Sequence, residues 1–343
     1  MFWNRRLMVS FCLVGVLTGC TQIQPHQPKS LGLSQAKTLP SSHEDGLEVA
    51  DTLNKLAENY YRQGKYQQAI PLAERALAIR EKNLGKKHLV VAPSLNTLAK
   101  LYKQTGDYTR AEPLSRRALD IWNRTLGEEH PIVAQNLTDL ADIYQQMGQY
   151  ARAEPLYLRA LKVWKKYPGE KYIFVVQGLH ALAGLYHRMG QFARVELLYL
   201  RVLDIQKTIW GDEHSYVAQS MNNLGGFYKN MGKYARAEPL LKRALEIGKK
   251  TLGEEHPLVI KSLNNLAELY VSTGKHARAE PLLKRALEIG EKTLGEEHPL
   301  VVKSLNNLAL LYGQMGEHTR AEAFLKRVLE IRRKKNLWKK GRV

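Results

Sequence analysis

The sequence predicts an all-α fold, an α-solenoid of seven stacked helix pairs, on three observations. Gly64, Gly106, Gly148, Gly190, Gly232, Gly274 and Gly316 stand 42 residues apart, and Gly85, Gly127, Gly169, Gly211, Gly253 and Gly295 keep the same interval in a second register. Between the glycines apolar residues recur at helical spacing: Leu263, Leu266, Ala267 and Tyr270, then Ala279, Leu282, Leu283, Ala286 and Leu287. Small residues hold fixed columns, with Ala57, Ala99, Ala141, Ala183, Ala267 and Ala309 in the first helix of each pair and Ala69, Ala111, Ala153, Ala237, Ala279 and Ala321 in the second. A lone amphipathic pair cannot cover its apolar face, so neighbouring pairs stack, and alanine columns let their axes approach.

The chain has 343 residues, 44% hydrophobic and 25% charged, which is enough to bury a core. One repeat array, not two globular domains, accounts for the length. Its cysteines, Cys12 and Cys20, both lie in the first twenty residues. Beyond them a disulfide framework, a cysteine metal site and a cysteine nucleophile are excluded.

Residues 1–19 carry Arg5 and Arg6, an apolar run from Leu7 to Leu17 too short to span a bilayer comfortably, and then Leu17-Thr18-Gly19-Cys20. This segment resembles a bacterial lipoprotein signal peptide. The resemblance implies cleavage before Cys20 and acylation of Cys20, and several acyl chains on one residue suffice for stable anchoring. An ordinary secretory signal cut elsewhere and an uncleaved anchor are the alternatives. Thr21 in place of a retaining aspartate implies the outer membrane if the host has two. Residues 20–46, with Pro25, Pro28 and Pro40 among Gln, Ser and Lys, show no period and read as a flexible tether.

Residues 47–331 form the seven repeats. The columns of small residues, with Tyr60, Tyr102, Tyr144, Tyr186, Tyr228, Tyr270 and Tyr312, resemble the tetratricopeptide repeat (TPR). The 42-residue period with Leu263-Asn264-Asn265-Leu266-Ala267, Ala279-Glu280-Pro281-Leu282 and Thr293-Leu294-Gly295-Glu296-Glu297-His298-Pro299 is similar to the kinesin light chain variety. That resemblance implies a right-handed α–α superhelix that binds peptides on its inner wall. Pro131, Pro257 and Pro299 suit the first turn of a helix, and the preceding Glu-Glu-His offers polar groups to its free amides. Pro71, Pro113, Pro155, Pro239 and Pro281 fall early in the second helices, where they bend the helix slightly or not at all.

Function is expected on the surface that stacking leaves open. Beside the core positions of the first helices runs a column of Asn54, Asn96, Asn222, Asn264 and Asn306, with Asn223, Asn265 and Asn307 adjacent and Lys261 and Lys303 one turn earlier. An amide offers donors and an acceptor together, which suits gripping the backbone of an extended peptide. The resemblance implies the same role, and the column is expected to be exposed on the inner wall. The competing reading has these amides bridging neighbouring helices as part of the scaffold. Thr138 and His180 interrupt the column in the third and fourth repeats.

Repeat four departs most, with Tyr167-Pro168-Gly169-Glu170-Lys171-Tyr172 before it, Gly178 and Gly184 in its first helix, and Val195 and Leu197 for Ala and Pro in its second. His180 and His187 share a helix face, but without a third ligand nearby in sequence, drift explains them better than a metal site. His88, His130, His214, His256 and His298 occupy one loop position of separate repeats and do not converge. No phosphate loop, HExxH, GxSxG or paired-carboxylate motif interrupts the period. The glutamates of Glu-Glu-His and Ala-Glu-Pro read as helix-end and solvent-facing charge. No catalytic residues, metal or cofactor are expected.

Residues 332–343, RRKKNLWKKGRV, hold +7 of the net +19 as a basic C-terminal tail. Pairs such as Arg116-Arg117, Lys242-Arg243 and Lys284-Arg285 spread further charge along the second helices. Two functions compete: a non-catalytic, membrane-tethered scaffold that binds peptide segments or partner proteins in its groove, and an electrostatic binder of envelope polyanions or anionic lipid. Nucleic acid is not an expected partner.

Overall fold

The computed structural model describes residues 43–167 and 172–340, with side chains from 46 to 334 in those stretches. The signal-like segment, Cys20, nearly all of the proposed tether and Gly169 lie outside the described residues. No helix among the described residues is long and apolar enough to cross a membrane.

The described residues are helical throughout, without strands. The chain divides into two compact units. The first contains α1 (His43–Arg62), α2 (Tyr66–Leu84), α3 (Val91–Thr105), α4 (Tyr108–Leu126), α5 (Pro131–Gln146), α6 (Tyr150–Lys165), α7 (Tyr172–Arg188), α8 (Phe192–Trp210) and α9 (Ser215–Asn230). The second contains α10 (Tyr234–Leu252), α11 (Pro257–Ser272), α12 (His276–Leu294), α13 (Pro299–Gln314) and α14 (His318–Lys340). Helix α1 starts inside the predicted tether, where Glu44 and Asp45 favour a helix N-terminus. Helix α14 runs on past residue 331 into the basic tail.

Within each unit every helix packs on the next, and first helices also touch across repeats, α1 on α3, α3 on α5, α5 on α7, and α11 on α13. The alanine columns make this approach possible. Ala57, Ala99, Ala141, Ala183 and Ala267 are almost fully buried, as are Ala111, Ala153, Ala237 and Ala279. Core clusters repeat accordingly, with Leu161, Val176, Leu179 and Val202 in one unit and Val259, Ile260, Leu263, Ala286 and Ile289 in the other.

The glycines end the helices. Gly106 takes φ 82°, ψ 5°, the left-handed turn that lets Asp107 N–H donate 2.9 Å to the Tyr102 carbonyl. Gly127, at φ 84° and ψ 156°, lies in a region essentially reserved for glycine. Three residues after such a glycine stands the histidine. His130, His214, His256 and His298 are N-caps whose Nδ1 accepts the N–H of the second helical residue at 3.1–3.2 Å, with proline first in three of the four helices. Pro71, Pro113, Pro155, Pro239 and Pro281 sit inside continuous helices.

Candidate functional site: the first-helix faces

The asparagine column is largely not where the sequence suggested. Asn54, Asn222, Asn264 and Asn265 are buried, which corrects the expectation of an exposed column. Asn96, Asn223, Asn306 and Asn307 are half-buried.

The reason is visible between α11 and α13. Asn264 Nδ2 donates to the Ile260 carbonyl at 3.1 Å and to Ser304 Oγ at 2.8 Å, while its Oδ1 accepts from Asn307 Nδ2 at 3.2 Å. Asn307 Nδ2 also reaches Glu268 Oε1 at 2.9 Å. Lys303 Nζ donates to Asn265 Oδ1 at 2.9 Å and pairs with Glu268 at 3.0 Å. These amides therefore tie one first helix to the next. Each partner of a buried amide must be supplied internally, and the adjacent repeat supplies it.

The first unit repeats the device with other residues. Asn136 Nδ2 donates 3.1 Å to Asn96 Oδ1, again 40 residues apart. Other buried serines bond the preceding second helix instead, Ser220 donating to Gln206 at 2.5 Å and Ser94 bonding Arg80. Asn54 donates to Glu58 Oε1 at 2.9 Å. A serine or asparagine 40 residues after a column asparagine, Asn136 after Asn96 and Ser304 after Asn264, was the sequence signal for this bridging.

What remains open is a mixed strip. On α13, Lys303, Asn306 and Asn307 are half-buried, and Leu310, one turn further on, is 54% exposed. Asn306 spends its amide N–H on its own helix, donating 2.8 Å to the Val302 carbonyl. Lys261, on α11, is held below the usual lysine range by burial and by the charge of Lys303. On α3 and α5 the strip is an ion-pair wall, Lys100 to Asp139 at 3.1 Å and Lys103 to Asp142 at 3.0 Å. Burial works against the Lys103 charge, but Asp142 and Asp139 outweigh it and raise its pKa. Tyr157 Oη donates 2.6 Å to Asp142 behind this wall, and burial, followed by that carboxylate, pushes its pKa well up.

Sequence reasoning also missed a second latch. The Ala-Glu-Pro glutamates, and Glu196 at the same position of repeat four, are not simply solvent-facing: each accepts the tyrosine hydroxyl of the next repeat, Tyr144 to Glu112 at 2.6 Å, Tyr186 to Glu154 at 2.8 Å, Tyr228 to Glu196 at 2.9 Å, Tyr270 to Glu238 at 3.1 Å and Tyr312 to Glu280 at 2.8 Å. A cation covers the ring, with the Arg152 guanidinium 4.0 Å from the Tyr144 centroid. A constant 32-residue offset was the available signal. The Glu-Glu-His glutamates do lie at the surface, where Glu254 pairs with Arg285 at 2.9 Å and Glu128 with Arg159 at 2.9 Å.

The histidines of repeat four make ring contacts. His187 meets Phe192 edge-on at 5.5 Å and His180 lies 5.9 Å from Tyr199. Among the described residues no group of three or more His, Cys, Asp or Glu is placed to hold a metal ion.

Comparison with known proteins supplies the context. A family model described as tetratricopeptide repeat matches residues 48–120, 101–161, 134–208, 216–292 and 272–334. The solved structure of BtubC (BKLC) from P. vanneervenii is similar at 27% identity and TM-score 0.54, over 68% of this chain and 91% of that one. A kinesin light chain-like repeat protein from Podosopora anserina shares 26% identity over 71% of this chain and 95% of its own, at TM-score 0.38. Aspartyl phosphate phosphatase F from Bacillus subtilis, at 12% identity and TM-score 0.54 over 87% and 86% of the two chains, shares the fold alone. No curated protein matches the chain significantly.

Proposed function

We propose, from the premise that this chain belongs to the tetratricopeptide repeat family, that it is a non-catalytic scaffold which holds a segment of a partner protein against its first-helix faces. One observation carries the reading. On α13 an exposed leucine, Leu310, continues a strip of half-buried polar groups, Lys303, Asn306 and Asn307. An apolar anchor among fixed donors and acceptors is what an extended or helical guest needs. The buried asparagines act one layer down, holding that strip in register. Asn54, Asn222, Asn264 and Asn265 thus serve as positioning residues, and Asn96, Asn223, Asn306, Asn307, Lys261 and Lys303 are the proposed contacts.

In the same proposal Cys20 carries the lipid that keeps the scaffold at the cell envelope, on the outer membrane if there are two. Against the polyanion alternative, many second-helix cations are already spent. Lys242 pairs with Glu238 and Lys284 with Glu280, both at 2.7 Å, and Arg285 with Glu254 and Glu288. Paired surface charges leave a weaker field for a distant polyanion.

The test is a photoreactive side chain at Leu310 of the full-length protein in its native envelope. A discrete adduct whose crosslink maps to one short segment of one protein is the expected result. No adduct at Leu310, together with adducts from probes at Lys242 and Lys284, would instead favour the electrostatic alternative.

A further inference from the structure

The second helices of repeats three and four differ from the others on their outward face. Where repeats two, five and six place Arg116, Lys242 and Lys284, each ion-paired to the glutamate four residues earlier, α6 and α8 place Leu158 and Leu200. These leucines are 45% and 42% exposed. At the proline position α8 has Leu197, 66% exposed, and Pro155 in the equivalent register of α6 is also exposed. Ala151 and Ala193 extend the two strips by one turn. The displaced glutamates are satisfied elsewhere: Glu154 binds Tyr186 and Arg194, and Glu196 binds Tyr228 and Lys233. Nothing internal therefore requires leucine here, and large apolar side chains exposed in the same register of two successive second helices call for an occupant.

The C-terminal half of the α6 strip is basic, while on α8 the cations Arg201 and Lys207 stand with the acids Asp204 and Asp212. Lys162 and Lys165 follow Leu158 on α6, and Arg201 and Lys207 follow Leu200 on α8. Lys162, Lys165 and Arg201 are exposed, Lys207 pairs with Asp212 at 2.9 Å, and Asp204 is the acid on this face of α8. Exposed leucines with exposed Lys162, Lys165 and Arg201 on one outward face match an anionic lipid surface, which offers acyl chains to the first and headgroup charge to the second.

We propose that the outward face of α6 and α8, centred on Leu158, Leu197 and Leu200, lies on an anionic lipid bilayer. The face is separate from the first-helix strip, so the two readings stand or fall independently.

The experiment uses the full chain with Cys12→Ser and Cys20→Ser, which removes the native thiols and any acylation, and Leu200→Cys labelled with a polarity-sensitive fluorophore. Vesicles of phosphatidylglycerol with phosphatidylethanolamine should blue-shift the probe, at an apparent affinity about tenfold or more above that for phosphatidylcholine vesicles. Replacing Lys162, Lys165 and Arg201 by glutamine should remove that preference. Leu158→Ser with Leu197→Ser should abolish the shift while far-UV circular dichroism stays unchanged. The same probe at Leu310 should not shift.

Three results overturn the proposal. In one the protein sediments with vesicles while the Leu200 probe is unshifted, so that another segment holds it. In another the shift follows protein concentration without lipid, which assigns the face to a second copy. In the third the glutamine variant keeps the full preference for anionic lipid.

Discussion

Asn264 Nδ2 and Ser304 Oγ, 40 residues apart in sequence, lie 2.8 Å apart and fully buried between α11 and α13. This bond, with Asn307 closing on the same amide, makes the asparagine a bridge between repeats and only indirectly part of a binding surface. Asn264→Ala removes it and is expected to cost about 1–3 kcal/mol of stability, since the buried Ser304 and Asn307 lose a partner. Asn306→Ala, whose amide donates only to its own helix, should stay within about 0.5 kcal/mol. Urea unfolding of the two variants separates positioning from contact. Equal losses would mean the column is uniform after all.

Two glycines test how closely the second unit is packed. A Cβ added at Gly290 meets Val301 Cγ2 at 2.8 Å, whereas at Gly248 the nearest atom, Val259 Cγ2, is 3.6 Å away. Gly290→Ala should destabilise by about 1–3 kcal/mol through overpacking. Gly248→Ala should instead gain up to about 1 kcal/mol from helix propensity. Thermal unfolding of both variants checks the opposite signs.

The tyrosine latches set an alkaline limit. Burial, then the Glu74 hydrogen bond and charge, raise the Tyr102 pKa from 10.0 to about 12. Burial and Glu154 raise that of Tyr186, and burial and Glu280 that of Tyr312. A pKa raised on folding contributes stability that is whole below the unfolded value near 10 and is lost as pH climbs toward 12. Absorbance titration should therefore show a late tyrosine class that merges with the rest on unfolding. Tyr312→Phe should lower stability by about 1 kcal/mol near neutrality.

The His256 cap sets an acid limit. Burial lowers the His256 pKa below 6.5, and protonation would occupy the Nδ1 that accepts Leu258 N–H at 3.1 Å. A lowered pKa gives stability that is present above the unfolded value and is lost as pH falls through the folded one. Stability should therefore decline as pH falls below the unfolded value of 6.5, by about 1 kcal/mol for a lost cap. His256→Asn keeps a capping acceptor and should flatten this part of the profile. A profile identical to wild type would remove His256 from the explanation.

Much of the fold was legible in the residues. The glycine registers mark the ends of the helices because only glycine tolerates φ near +80°, and the columns of small residues mark the helix contacts because they are buried where helices meet. The site was harder to read. Helical spacing places Asn264 at the edge of the apolar face, and an edge row points into the groove or toward the next first helix with equal periodicity. Only the serine 40 residues later distinguishes the two, and that is a relation between repeats that a reading of one helix at a time does not contain. The same holds for Glu280, which reads as exposed charge until the Tyr312 hydroxyl from the following repeat is placed on it.

The most direct test of the scaffold reading is the affinity of the segment crosslinked at Leu310 for three full-length forms: wild type, Leu310→Glu, and a chain lacking residues 332–343. The account predicts a loss of about tenfold or more for Leu310→Glu and little change on removing the tail or raising salt. Full affinity in Leu310→Glu, with binding lost in high salt or without the tail, would contradict it.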